Sequence, residues 1–67
     1  MRMISDKAVF FIFLLERYAE IKKVSSKVVL ELWQEKNIIE YINNMYEQYN
    51  AERIENAIED IDKKLSK

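Results

Sequence analysis

Eight apolar residues stand in a row from Ala8 to Leu15, and apolar positions then recur in ones, twos and threes between charged and amide side chains. Wound at 3.6 residues per turn, most of the run and its continuation fall on one broad arc: Ala8, Phe10, Phe11, Ile12, Leu14, Leu15, Tyr18, Ala19 and Ile21. Val9 and Phe13 fall outside it, one turn apart, among Asp6, Glu16, Arg17 and Glu20. Apolar residues on a charged face have two uses. Either another helix of the chain folds over them and buries helix one on all sides, or they meet a partner. The pattern leaves both open.

The chain contains no glycine or proline, so helix ends must be read from caps and from changes of phase. Helix one starts after Ser5, a good N-cap, with Asp6 in the first turn where negative charge suits the helix dipole. It ends near Lys22 and Lys23. Ser25 then caps a second helix from about Ser26 to Lys36, with Val24 and Val29 placed as a hydrophobic staple. Its expected buried side is Val28, Val29, Leu30, Leu32 and Trp33.

Asn37 and Glu40 have the spacing of a capping box, which starts a third helix at Ile38 with Ile38, Ile39, Tyr41, Ile42, Met45, Tyr46 and Tyr49 on one side. Beyond Tyr49 two continuations fit: Asn50 caps a fourth helix with Arg53 at its third position, or the third and fourth helices run on. The last segment shows a narrow stripe of Ala51, Ile54, Ala57, Ile58, Ile61 and Leu65, with Glu59–Lys63 and Asp60–Lys64 as supporting pairs. No stretch alternates with period two. The fold class is therefore all-α, a small bundle of three to four helices in a single domain over residues 1–67, with helix one central.

Length and composition sharpen this picture. A domain of 67 residues is close to the lower limit of independent stability, yet 49% of its residues are apolar. Self-association is a direct way to bury the surplus. The absence of cysteine excludes a disulfide framework and suits a reducing cytoplasm. The apolar run is too short to span a bilayer, and no small-residue cleavage site follows it, so it reads as neither a membrane anchor nor a signal peptide.

The net charge is −1, which gives no overall pull toward nucleic acid. Residues 1–33 carry six basic and four acidic side chains; residues 34–62 carry eight acidic ones against Lys36 and Arg53; Lys63, Lys64 and Lys67 follow. An acidic second half disfavours phosphate binding there.

Much chemistry is excluded outright. With no histidine or cysteine there is no zinc site and no histidine-activated nucleophile. With no glycine there is no phosphate-cradling loop. Glu55, Glu59 and Asp62 share one side of the last helix, a spacing open to a hard cation but better read as a solvated acidic face. Lys22, Lys23 and Lys27 form a basic corner. A DNA-reading helix would need polar residues after Lys27, where Val28, Val29 and Leu30 stand instead. The tyrosines and Trp33 read as core with their polar tips in water. No enzyme activity and no cofactor are expected.

The order of segments resembles a family of short bacterial proteins known as domain of unknown function 3791, through Leu15-Glu16-Arg17-Tyr18-Ala19, Ser25 with Val29-Leu30-Glu31-Leu32-Trp33, Ile39-Glu40-Tyr41-Ile42, Tyr46, and Ile58-Glu59-Asp60-Ile61. Tyr49-Asn50-Ala51-Glu52 departs from the family's glycine-containing turn before the last helix. The resemblance carries over no functional residue. It implies a protein often encoded beside other small proteins, some similar to ADP-ribosyltransferase-type toxins, and hence an antitoxin-like or regulatory partner role. Taken with the pattern, the expected function is a protein–protein interaction module, cytoplasmic and homodimeric, with Val9 and Phe13 in the interface and Glu16 and Glu20 at its rim. A heterologous partner is the alternative, and a small DNA-binding regulator using Lys22, Lys23 and Lys27 is a third, less favoured one.

Overall fold

The computed structural model describes residues 6–66. The described chain is helical throughout its regular structure: α1 (Asp6–Lys22), α2 (Ser26–Glu35), α3 (Ile38–Asn44), α4 (Tyr46–Ala51) and α5 (Ile54–Leu65). Among these residues there is no strand, and no helix is long and apolar enough to cross a membrane. The all-α class holds, with five helices rather than three to four. α1 is the central element and packs against each of the other four.

One cluster of buried side chains joins them. α1 supplies Leu14, Leu15, Tyr18 and Ala19, α2 supplies Val29 and Trp33, and α3 supplies Ile38 and Ile42. Tyr49 enters from α4, and Ala57, Ile58 and Ile61 from α5. Trp33 is fully buried, with its ring edge-on between two α1 rings, 5.8 Å from Phe11 and 5.4 Å from Tyr18. Each such pair contributes about 0.5–1.5 kcal/mol beyond its burial. The indole N–H finds no acceptor among the described residues, an omission that costs about 1–3 kcal/mol.

Helices end here without glycine. At the end of α1, Lys23 takes the left-handed conformation at φ 59°. Its N–H bonds the Glu20 carbonyl at 3.2 Å and the Val24 N–H bonds the Ala19 carbonyl at 3.1 Å, the paired reverse bonds of a Schellman motif. Ser25 then caps α2 as expected, its hydroxyl accepting from the Val28 N–H at 3.2 Å. The proposed cap at Ser5 lies outside the described residues.

Three expectations are corrected. Asn37 is no side-chain cap of α3. It sits at φ 61° and serves as the left-handed residue that stops α2, because asparagine tolerates that region better than most non-glycine residues. Helices three and four neither run on unbroken nor divide at Asn50. Met45 tightens the chain for one residue, its N–H shared among the carbonyls of Tyr41, Ile42 and Asn43, and α4 then continues through Asn50 to Ala51. The real break is at Glu52 and Arg53, both extended, with Arg53 in the position that precedes α5. It turns Ala57, Ile58 and Ile61 back into the core.

The third correction concerns which side chains are covered. Ile12 and Ile21, placed on the apolar arc of α1, are exposed, as are Val28 and Leu32 of α2, while Leu30 is half-buried. Val29 and Trp33 are the fully covered residues of α2 in the core, with half-buried Leu30 packed against it.

The left-handed lysine offers a direct check on this chain reversal. A side chain with a Cβ costs about 1–2 kcal/mol in that region. Lys23→Gly is expected to raise the urea midpoint by an amount equal to about 1 kcal/mol with an unchanged slope. A lower midpoint contradicts the left-handed turn.

Candidate interaction surface

The covering of α1 is uneven. Val9, Ile12 and Phe13 are 51%, 50% and 60% exposed, while Leu14 beside them is completely buried. The three share a helix face at spacings of three and four residues, and Glu16 and Glu20 extend the same face toward the C-terminal half. No helix of the described chain folds over this side. Val9, Phe13, Glu16 and Glu20 thus lie together at the surface, and Ile12 joins them. The helical wheel places Ile12 on the buried arc; in the fold its side chain is half exposed instead.

Grooves flank the ridge. One lies between α1 and the start of α5, has about 500 Å³ of open volume and is lined by Phe13, Glu16, Arg17, Glu20, Ile54 and Glu55. Another, of about 380 Å³, lies between α1 and α3 and is lined by Lys7, Ala8, Phe11, Ile12, Ile39 and Asn43. Arg17 bonds Glu20 at 3.0 Å, and Glu16 accepts a 2.8 Å hydrogen bond from the Ser26 hydroxyl. The ridge is therefore apolar at its centre and acidic at one end.

The polar tips of two buried tyrosines reach carboxylates rather than water. Tyr18 donates to Asp62 at 2.7 Å, and Asp62 also accepts from Lys22 at 3.0 Å. Tyr49 donates to Asp60 at 2.8 Å and shares a 2.6 Å hydrogen bond with Tyr41. Burial, reinforced by these acidic acceptors, holds both hydroxyls well above the ordinary tyrosine value. Burial pushes the Asp62 carboxyl up, but the hydrogen bonds from Tyr18 and Lys22 and the lysine's charge outweigh it, and the group lies below its ordinary value.

These ties also reassign residues read earlier as helix-supporting pairs. Asp60 serves Tyr49, and Lys64 lies over the Tyr41 ring at 4.6 Å. Glu55, Glu59 and Asp62 are not brought together: Asp62 faces α1, Glu55 sits 3.6 Å from Arg53, and among the described residues no group of three carboxylates is placed to hold a metal ion. Of the basic corner, Lys22 is tied to Asp62 and to the Tyr18 ring, while Lys23 and Lys27 are exposed.

Fold and surface together define a class: a small all-helical protein whose central helix leaves one apolar face uncovered. The chain belongs to the family described as protein of unknown function (DUF3791), whose model matches residues 9–67. No curated protein and no solved structure matches it.

The tyrosine–aspartate ties predict stability that fades at both ends of the pH range. A carboxyl lowered in the folded state stabilises above its unfolded pKa of about 4 and loses that contribution as pH falls through the lower folded value. A raised hydroxyl stabilises fully below about pH 10 and loses its contribution as pH rises beyond it. Urea midpoints followed across pH should fall on both arms, with Asp62→Asn flattening the acid arm and Tyr49→Phe the alkaline one. Arms unchanged by these substitutions contradict the assignment.

Proposed function

We propose that this protein is a helical protein–protein interaction module that associates with itself through the outward face of α1, acting in the cytoplasm by binding rather than by catalysis. Supporting the reading is one observation: Val9, Ile12 and Phe13 occupy successive positions of one helix face and are each at least half exposed on a helix otherwise packed against four neighbours. Scattered exposed apolar residues are ordinary, whereas three side by side on the central helix form a contiguous patch. Transferring such residues from water to an interface contributes about 25 cal/mol per Å² of apolar area. A homodimer is the smallest assembly that does this.

The test is a single substitution at the most exposed of the three. Phe13→Glu is expected to lower the concentration-dependent mass of the chain to that of one copy while leaving the far-UV helical signal intact. A variant that unfolds would make Phe13 part of the core. A variant that folds and associates as before would remove the face from the interface. Either result overturns the reading.

A further inference from the structure

The large apolar side chains exposed among the described residues fall into two groups of opposite charge surroundings. Val9, Ile12 and Phe13 lie on α1 with Glu16, Glu20 and the Arg17 that pairs with Glu20 at their edge, and Glu55 across the adjoining groove, three acids against one base. Ile21, Val24, Val28 and Leu32 lie where α1 turns into α2, interleaved with Lys22, Lys23 and Lys27. Leu32 extends this second strip along α2 by one turn from Val28.

The charges at the two edges are not all engaged. Glu16 has the Ser26 hydroxyl as its hydrogen-bond partner and no cation, Glu20 is held by Arg17 at 3.0 Å in an exposed pair that contributes little, and neither Lys23 nor Lys27 is in an ion pair among the described residues. Two α1 faces laid parallel would set Glu16 and Glu20 of each copy against like charge, and laid antiparallel would set them toward the Asp6 end of the partner; neither arrangement offers them the pair of lysines that the corner does. An acid-edged apolar face and a lysine-edged apolar corner satisfy each other in both respects.

Resting on the self-association reading above, we propose that the second copy meets the acidic face of α1 with its lysine-edged corner rather than with its own α1 face. Val24 and Val28 of one copy pack on Ile12 and Phe13 of the other, and Lys23 and Lys27 lie toward Glu16 and Glu20. Such a contact joins two different surfaces of the same chain. Reciprocal use closes a pair, and single use leaves one face and one corner free for further copies.

A mixing experiment tests this pairing. Ile12→Asp with Phe13→Asp breaks the face; Val24→Asp with Val28→Asp breaks the corner. A second corner variant, Lys23→Glu with Lys27→Glu, leaves every apolar residue in place. All six positions are exposed, and far-UV circular dichroism verifies the fold of each variant. At a concentration where the unaltered chain associates, each variant alone should sediment as one copy. An equimolar mixture of the face variant with either corner variant should give a complex of two copies, because each mixture retains one intact face and one intact corner.

A mixture that stays monomeric, or a corner variant that associates alone, overturns the proposal while self-association stands. An unaltered chain that remains monomeric at every concentration overturns the underlying reading instead.

Discussion

Everything in this fold hangs on the seating of Trp33 against α1. Its ring is fully buried and lies edge-on to both Phe11 and Tyr18, one turn of α2 meeting two turns of α1. With α2 fixed there, Val29 follows it into the core and Val28 and Leu32 are turned outward. The same choice commits the core-facing side of α1. Leu14, Leu15, Tyr18 and Ala19 are consumed by packing, and the apolar residues on the remaining side are left without cover. An exposed ridge is thus the geometric consequence of a run of eight apolar residues on a helix whose neighbours cannot enclose it.

The second constraint is polar. α5 presents a narrow stripe, with Ala57, Ile58 and Ile61 as its buried anchors. Asp60 and Asp62 add two directional ties, to Tyr49 and Tyr18, which reach α4 and α1. A buried hydroxyl bonded to a carboxylate avoids the desolvation penalty of an unpaired group, and a bond to a charged acceptor contributes about 1.5–3 kcal/mol. These ties give α5 an orientation that its narrow apolar stripe leaves loosely specified.

Much of this was legible in the sequence, and the failures share a cause. The span of α1 and the Ser25 cap follow from local chemistry, and local chemistry is what a sequence displays; α3 does start at Ile38, but not through the Asn37 side-chain cap that predicted it. Asn37 was misread because asparagine suits both a side-chain cap and a left-handed stop; only the path of the chain chooses between them. The break at Glu52 and Arg53 carries no glycine or proline to announce it, and is set by how Ala57, Ile58 and Ile61 reach the core. Asp60 paired on paper with Lys64 four residues on, whereas Tyr49, eleven residues back, takes it in the fold. The surface was half legible. Val9 and Phe13 stand out against their charged neighbours, but Ile12 reads as part of the buried arc, and only the packing of the other helices around α1 leaves it in solvent.

The central claim is that the uncovered face of α1 is a contact surface, and fluorine labelling addresses it residue by residue. The chain contains three phenylalanines, so incorporation of fluorophenylalanine gives three resonances, assigned by single substitution. Phe11 packs against Trp33 and serves as the internal reference, Phe10 lies against Tyr46, and Phe13 stands in solvent. As the chain is concentrated from low micromolar to millimolar, the Phe13 resonance should shift and broaden while that of Phe11 stays fixed. A Phe13 resonance that keeps its solvent-exposed position over the whole series would contradict the account.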